Sequence, residues 1–171
     1  MGEVISATSR LEVSEAIEFR EATLVGDDRR EPSSKDEYDD DPTTVQCLVR
    51  DDDGLCIGTG RLVAPIDVER EGEVIHGNPT IGPITVAPHA RGRGIGRAIL
   101  SFLEEEALAT YGHNGVVQVE AFVSSGVAEG AGTVGYTVRE GEGGVRPAST
   151  KVFRDVTVDD NGDSRGGPAV A

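Results

Sequence analysis

The sequence predicts a single α/β (α+β) domain, and three observations lead there. A chain of 171 residues buries roughly 70% of the surface it exposes when unfolded, which supports one core and leaves little for a second. β-rich runs and helix-period segments interleave along it, in the order strand, helix, loop, hairpin, strand, helix, strand, connector, strand, strand. No apolar run reaches the ~18 residues of a membrane span, and MGEVISATSR at the N-terminus lacks the charged-then-apolar layout of a signal peptide. A cytoplasmic protein with no membrane partner is expected.

Residues 3–7 (EVISA) suit a short strand, and Ser9 or Ser14 can cap a helix in which Leu11, Val13, Ala16, Ile17, Phe19 and Leu24 recur at helical spacing. Residues 26–42 (GDDRREPSSKDEYDDDP) bury little and read as a loop with one helical turn. Residues 44–50 and 55–63 are β-rich and flank Asp51-Asp52-Asp53-Gly54, a hairpin signal. A linker, 64–78, leads to a third run, 80–86, interrupted by Pro83. Proline donates no backbone hydrogen bond, so it belongs at an edge, a bulge or a place where two strands part.

After Pro88, Ile95, Ile99, Phe102, Leu103 and Ala107 trace one face of the strongest helix. Glu104, Glu105 and Glu106 are expected to face water, and Gly112 or Gly115 to end the helix. A strand over 116–123, a Gly- and Ala-rich connector over 124–135, and strands over 136–139 and 150–158 complete a domain of residues 1–158. The acidic, Gly-rich tail, 159–171, is expected to be disordered.

The charge balance limits the function. With 16 Lys and Arg against 31 Asp and Glu, the net charge is −15, which argues against nucleic acid as a partner because phosphate backbones need a basic face. Lys stands only at positions 35 and 151, and acids come in runs such as Asp39-Asp40-Asp41, Asp51-Asp52-Asp53 and Glu104-Glu105-Glu106. Short carboxylates hold hydrated cations and expose little apolar stem. Such a surface resembles that of proteins from a salt-accumulating cytoplasm, as in a halophilic archaeon. Cys47 and Cys56 lie in apolar runs without metal-ligand spacing and read as core residues, neither zinc ligands nor a disulfide. His76, His89 and His113 are scattered, so no metal is expected.

The chemistry gathers where the third run meets the strongest helix. In Arg91-Gly92-Arg93-Gly94-Ile95-Gly96-Arg97, glycines alternate just before helical periodicity begins. Glycines let backbone N–H groups approach a ligand, and the first helical turn leaves its N–H groups unpaired with partial positive charge. Together they suit a pyrophosphate. Each hydrogen bond to a charged oxygen contributes roughly 1.5–3 kcal/mol, so three or four supply much of the ~8 kcal/mol of a micromolar ligand. A dinucleotide fingerprint would need glycine where Arg97 stands, and the ATP phosphate loop would need a Lys that is absent here.

The stretch from Ile81 to Leu100 resembles the acetyl-CoA motif of the GNAT N-acetyltransferase family: a strand ending in Val86-Ala-Pro88, then Arg91-x-x-Gly94-x-Gly96 opening a helix. The order of elements over roughly residues 3–158 is similar to that family as well. The resemblance implies a mixed central sheet splayed near the cofactor, with helices on both faces. It implies acetyl-CoA (CoA) as cofactor, its pyrophosphate on the amides of Arg91, Gly92, Arg93, Gly94, Ile95, Gly96 and Arg97, and its pantetheine beside Ile84, Thr85 and Val86. The thioester carbonyl would be polarised by an N–H near Thr85 or Val86.

The implied activity is acetyl transfer to an amine by direct attack in a ternary complex; a catalytically weak acyl-CoA-binding sensor or partner module is the alternative. The acceptor would be a small amine, an aminoglycoside-like compound or a protein N-terminus, and a homodimer is compatible with the resemblance. Aligning Gly135-Tyr136 with the family's Gly-aromatic pair puts Ala131 where the family has a tyrosine acid and Ser124 where it often has asparagine. Ser124, with Ser125 beside it, therefore stands for both acid and cofactor contact. The family's frequent base position is Thr80, which leaves Glu73, His76 and Glu120; Glu120, inside the apolar strand VVQVEAFV, is favoured, with a raised pKa unless paired. His89 holds a variable, exposed place. Tyr38 and its acids (DEYDDD) occupy a segment that borders the acceptor pocket in relatives, either attracting a cationic amine or simply forming solvated surface.

Overall fold

Ser9, rather than Ser14, starts the first helix, through a reciprocal cap. Its Oγ accepts the Glu12 N–H at 3.2 Å, and Glu12 Oε2 accepts the N–H groups of Ser9 at 2.9 Å and Thr8 at 3.1 Å. This computed structural model describes residues 2–26, 37–124, 135–143, 149–158 and 164–166. In chain order its elements begin with β1 (Val4–Ser6), α1 (Arg10–Gly26), a 3₁₀ turn (Glu37–Asp40), β2 (Val45–Arg50) and β3 (Cys56–Val63). Next come β4 (Val68–Arg70), β5 (Glu73–Ile75), β6 (Thr80–Ile81), β7 (Thr85–Val86), a second 3₁₀ turn (Pro88–Ala90) and α2 (Ile95–Tyr111). The chain finishes with β8 (Val116–Ser124), β9 (Thr137–Gly143), β10 (Ser149–Val158) and β11 (Ser164–Gly166). It divides into two compact units, residues 1–63 with 82–103, and residues 64–81 with 104–171.

The first unit holds an antiparallel sheet in the order β1, β2, β3, β7. Its register pairs Gln46 with Arg61, Leu48 with Thr59, and Thr59 with Thr85. Side chains alternate across a strand, so these five share one face. On that side α1 packs against β2, β3 and β7, with Ala16 in the apolar cluster around Leu48 and Ala7. The opposite face carries Gly58 and Gly60 beneath α2. A Cβ on Gly60 would lie 2.6 Å from Ile99 and 3.0 Å from Leu103, and one on Gly58 would lie 3.0 Å from Ile95. Glycine here lets the helix seat its apolar stripe directly on the sheet, and Ile95, Ile99 and Leu103 are buried as their spacing predicts.

In the second unit β8 pairs in parallel with β6 (Thr80 with Glu120) and antiparallel with β10 along its whole length; β9 and β11 also pair with β10. Val117, Val119 and Val156 are buried. Both antiparallel and parallel pairs occur, so the sheet pairing is mixed. Among the described residues no helix is long and apolar enough to cross a membrane.

Four readings change. The run 80–86 is two short strands: β6 pairs with β8, β7 pairs with β3, and Pro83 stands in the gap between them. The linker 64–78 contains the β4–β5 hairpin, whose turn residues Glu71 (φ 54°) and Gly72 (φ 82°) adopt the left-handed conformation a tight hairpin requires. Glu-Gly is a weaker turn signal than Asn-Gly, which hid it. Glu104 does not face water but is buried, because it borders the apolar stripe of α2 and finds Tyr136 and Arg154. Within the stretch 159–171, residues 164–166 form a strand, Val156 pairing with Gly166 and Val158 with Ser164. The connector 125–134, including Ser125 and Ala131, lies outside the described residues.

Candidate functional site

The glycine-rich segment in the first unit forms a cradle. Beyond β7 the Ala87 N–H reaches the Ile57 carbonyl at 2.9 Å, and Arg91 Nε donates back to the Val86 carbonyl at 2.9 Å, tying the segment to the strand end. Gly92 (φ 75°) and Gly94 (φ 82°) hold backbone conformations that side chains disfavour, with open space where a Cβ would stand. Arg91, Gly92, Arg93, Gly94 and Arg97 are exposed, while Ile95 is buried and anchors the helix. The first helical hydrogen bond runs from the Ala98 N–H to the Gly94 carbonyl at 3.0 Å. The N–H groups of Ile95, Gly96 and Arg97 therefore have no helical acceptor, and no acidic side chain sits in that first turn.

Gly96 tests whether this cradle fits a pyrophosphate. Among the described residues a Cβ there would meet only Val86 Cγ2, at the ordinary contact distance of 3.8 Å. Among the described residues nothing excludes alanine, and glycine inside a helix costs about 1 kcal/mol against alanine. Glycine leaves the helix mouth free for a close ligand, as the anion-site reading requires. The candidate cofactor residues Ile84, Thr85, Val86 and Arg91 through Arg97 are thus brought together in one unit. Thr85 is 5% exposed, and its hydroxyl has no hydrogen-bond partner among the described residues.

Asp39 overturns the reading of DEYDDD as solvated surface, at least for its central acid. Its carboxylate is buried under α1. Oδ2 accepts from Arg20 Nη2 at 2.6 Å, and Oδ1 accepts from Gln46 Nε2 at 2.7 Å and Arg61 Nη1 at 2.9 Å. Burial disfavours its charge, but the Arg20 and Arg61 guanidiniums and the Gln46 amide outweigh that, holding its pKa below the usual 3.8. Asp40 stays exposed, and Asp41 caps a turn through the N–H of Thr43 at 2.8 Å. Neither Gln46 nor Arg61 was singled out from the sequence. Their signal was polarity at alternating places in otherwise apolar strands.

The catalytic candidates lie on β8 in the second unit. Glu120 is buried, and its Oε1 accepts the Thr80 hydroxyl at 3.1 Å, so the family's usual base position touches the favoured carboxylate across the parallel strand pair. Ser124 closes β8 with its backbone opposite Ser149. Glu73 is exposed on β5, and His76 is exposed with its Nδ1 3.1 Å from Asp67 Oδ2. Burial raises Cys47 to about 12 and Cys56 to about 11, so both stay neutral thiols.

Residues 13–127 match the Acetyltransferase (GNAT) family. In three dimensions the chain is similar to Escherichia coli ElaA, at 13% identity and TM-score 0.70 over 90% of this chain and 99% of that one. It is similar to an acyl-CoA N-acyltransferase from Pseudomonas aeruginosa, at 17% identity and TM-score 0.69 over 90% and 97%. A GNAT-family acetyltransferase from Staphylococcus aureus, at 12% identity, gives a TM-score of 0.66 over 91% and 99%. No curated protein matches the chain in sequence. The solved structures establish the α/β fold with its mixed central sheet and helices, and the family match spans more than half of the chain. With that match over residues 13–127, the chain belongs to the GNAT acetyltransferase family.

Proposed function

We propose that the protein is an N-acyltransferase that moves an acetyl group from acetyl-CoA to an amine by direct attack in a ternary complex. The observation that carries this reading is Gly96, a helical glycine that no neighbour among the described residues requires, beside N–H groups of Ile95, Gly96 and Arg97 without helical acceptors. When bound, acetyl-CoA supplies a thioester whose carbonyl carbon bonds to the acceptor nitrogen while the carbon–sulfur bond breaks. The Arg91–Arg97 backbone holds the pyrophosphate, and an N–H near Thr85 or Val86 polarises the carbonyl. Glu120, steadied by the Thr80 hydroxyl, takes the proton the acceptor ammonium must lose. Ser124, directly or through water, passes to the departing thiolate the second proton that the nitrogen loses as the amide forms. Alignment of the reactants supplies most of the acceleration.

Ala131 in place of the family's tyrosine favours the second reading, an acyl-CoA-binding module without turnover. Two measurements separate them: calorimetry with CoA, and thiol release from acetyl-CoA in molar salt with a panel of amines. The enzyme reading expects CoA binding that Gly94→Glu abolishes, and thiol release that Glu120→Gln lowers by about 100-fold or more. Binding without thiol release for any amine establishes the module, and unchanged CoA affinity in folded Gly94→Glu removes the site.

A further inference from the structure

Gly82 occupies the gap between β6 and β7, and one residue holds it from two sides. Its N–H donates to the Arg61 carbonyl at 2.9 Å, and its own carbonyl accepts Arg61 Nε at 3.1 Å. At φ 123° Gly82 sits in a region that other residues rarely adopt, so the direction of its carbonyl is set by this clamp more than by backbone preference. The same guanidinium places Nη1 on Asp39 Oδ1 at 2.9 Å. Asp39 is in turn fixed by Arg20 and Gln46, and Arg20 Nη1 donates to Gln46 Oε1 at 3.3 Å. All four side chains are buried. A planar fork bound on two edges has one orientation left.

Three residues beyond Gly82 begins β7, which is only Thr85 and Val86 long and pairs with β3 through Thr59 and Gly58. A strand this short takes its position from what holds its ends. Arg61 anchors the approach to it at Gly82, and Arg91 anchors its exit at the Val86 carbonyl.

We infer that Arg61, oriented by Asp39, is a positioning residue for acyl transfer: it fixes the Gly82 carbonyl and thereby aims a β7 N–H, that of Val86, at the thioester carbonyl. The inference rests on the acyl-CoA reading above. It also gives the 37–40 turn a task. Asp39 ties that turn, on the segment that borders the acceptor in relatives, to the strand that would polarise the donor. Sequence order hides this link, because Asp39, Arg61 and Gly82 lie on three separate segments.

The test needs no acceptor. Acetyl-CoA labelled with carbon-13 at the thioester carbonyl is bound to the wild type, to Arg61→Lys and to Glu15→Gln. The last breaks an ion pair to Arg50 in the same unit, at 2.5 Å, away from Gly82. Lysine keeps the charge but lacks the rigid planar fork that fixes a carboxylate and a carbonyl on two edges. Expected are a downfield carbonyl shift in the wild type and in Glu15→Gln, and a shift reduced by about half or more in Arg61→Lys, with CoA affinity kept within about twofold. A wild-type shift in Arg61→Lys overturns the inference while leaving the acyl-CoA reading intact. Loss of CoA binding by the wild type overturns both. If Arg61→Lys does not fold, the wild-type Arg61 Nε–H resonance is compared between the CoA and acetyl-CoA complexes. A difference supports the inference, and identical resonances overturn it.

Discussion

The Tyr136 hydroxyl donates to Glu104 Oε1 at 2.9 Å, and Arg154 Nη1 donates to the same oxygen at 2.9 Å, its guanidinium 5.9 Å from the centre of the Tyr136 ring. Burial, then the Glu104 charge, push the Tyr136 phenol above its usual value of 10.0. A phenol so engaged is a poor proton donor to a leaving thiolate. Tyr136→Phe is therefore expected to keep thiol release from acetyl-CoA while losing about 1–3 kcal/mol of stability in urea titrations, since a buried acceptor loses a donor. A loss of turnover of about 100-fold at unchanged stability would instead make Tyr136 the acid.

Glu104 and Asp39 give opposite pH slopes. Burial pushes Glu104 above its usual 4.5 despite Arg154 and Tyr136, so the folded state holds its proton more tightly than the unfolded chain. Its contribution to stability is full below 4.5 and is lost as pH rises through the folded pKa. Asp39, held below 3.8, contributes above that value and loses its contribution as pH falls through the folded pKa. Denaturant midpoints across this range should show a decline on the higher-pH side that Glu104→Gln flattens. An unaltered profile in folded Glu104→Gln would place the titration elsewhere.

Gly96→Ala separates folding from binding. The added methyl meets Val86 at an ordinary 3.8 Å, and alanine favours the helix by about 1 kcal/mol. The expected variant melts at or above the wild-type temperature yet binds CoA about tenfold more weakly, because the methyl intrudes where the pyrophosphate approaches. Equal affinity by calorimetry would mean that Gly96 does not line the anion site.

A net charge of −15 repels itself, and added salt screens it. Melting temperature should rise with KCl from about 0.1 to 3 M, with much of the rise by about 1 M, where the Debye length has fallen from roughly 10 Å to 3 Å. A flat profile would show that the acidic surface is no adaptation to salt.

Much of the scaffold was legible because its signals are local. The Asp51–Gly54 turn and the Ile95–Ile99–Leu103 stripe each involve residues within a few positions of one another and formed where they were read, and of the two caps left open, Ser9 or Ser14, it is Ser9 that starts the helix, with Glu12. The Arg91–Arg97 segment was legible for the same reason: glycine conformation and unpaired first-turn N–H groups are properties of contiguous backbone. The β4–β5 hairpin was missed because its turn, Glu71-Gly72, has glycine but not the Asn or Asp that usually precedes it.

Which acids are surface and which are core was a tertiary decision. Asp39 and Asp40 are neighbours of identical type, yet one is buried against Arg20, 19 positions away, and the other faces solvent. Glu104 likewise left its run to meet Tyr136, 32 positions on, and Arg154, 50 positions on. A carboxylate can leave water only where other segments bring cations and donors to it. The sequence by itself determined the helices, most strands and the glycine-rich backbone at the mouth of α2, whereas only the packed strands and helices could decide that Asp39, Arg61 and Gly82 would meet.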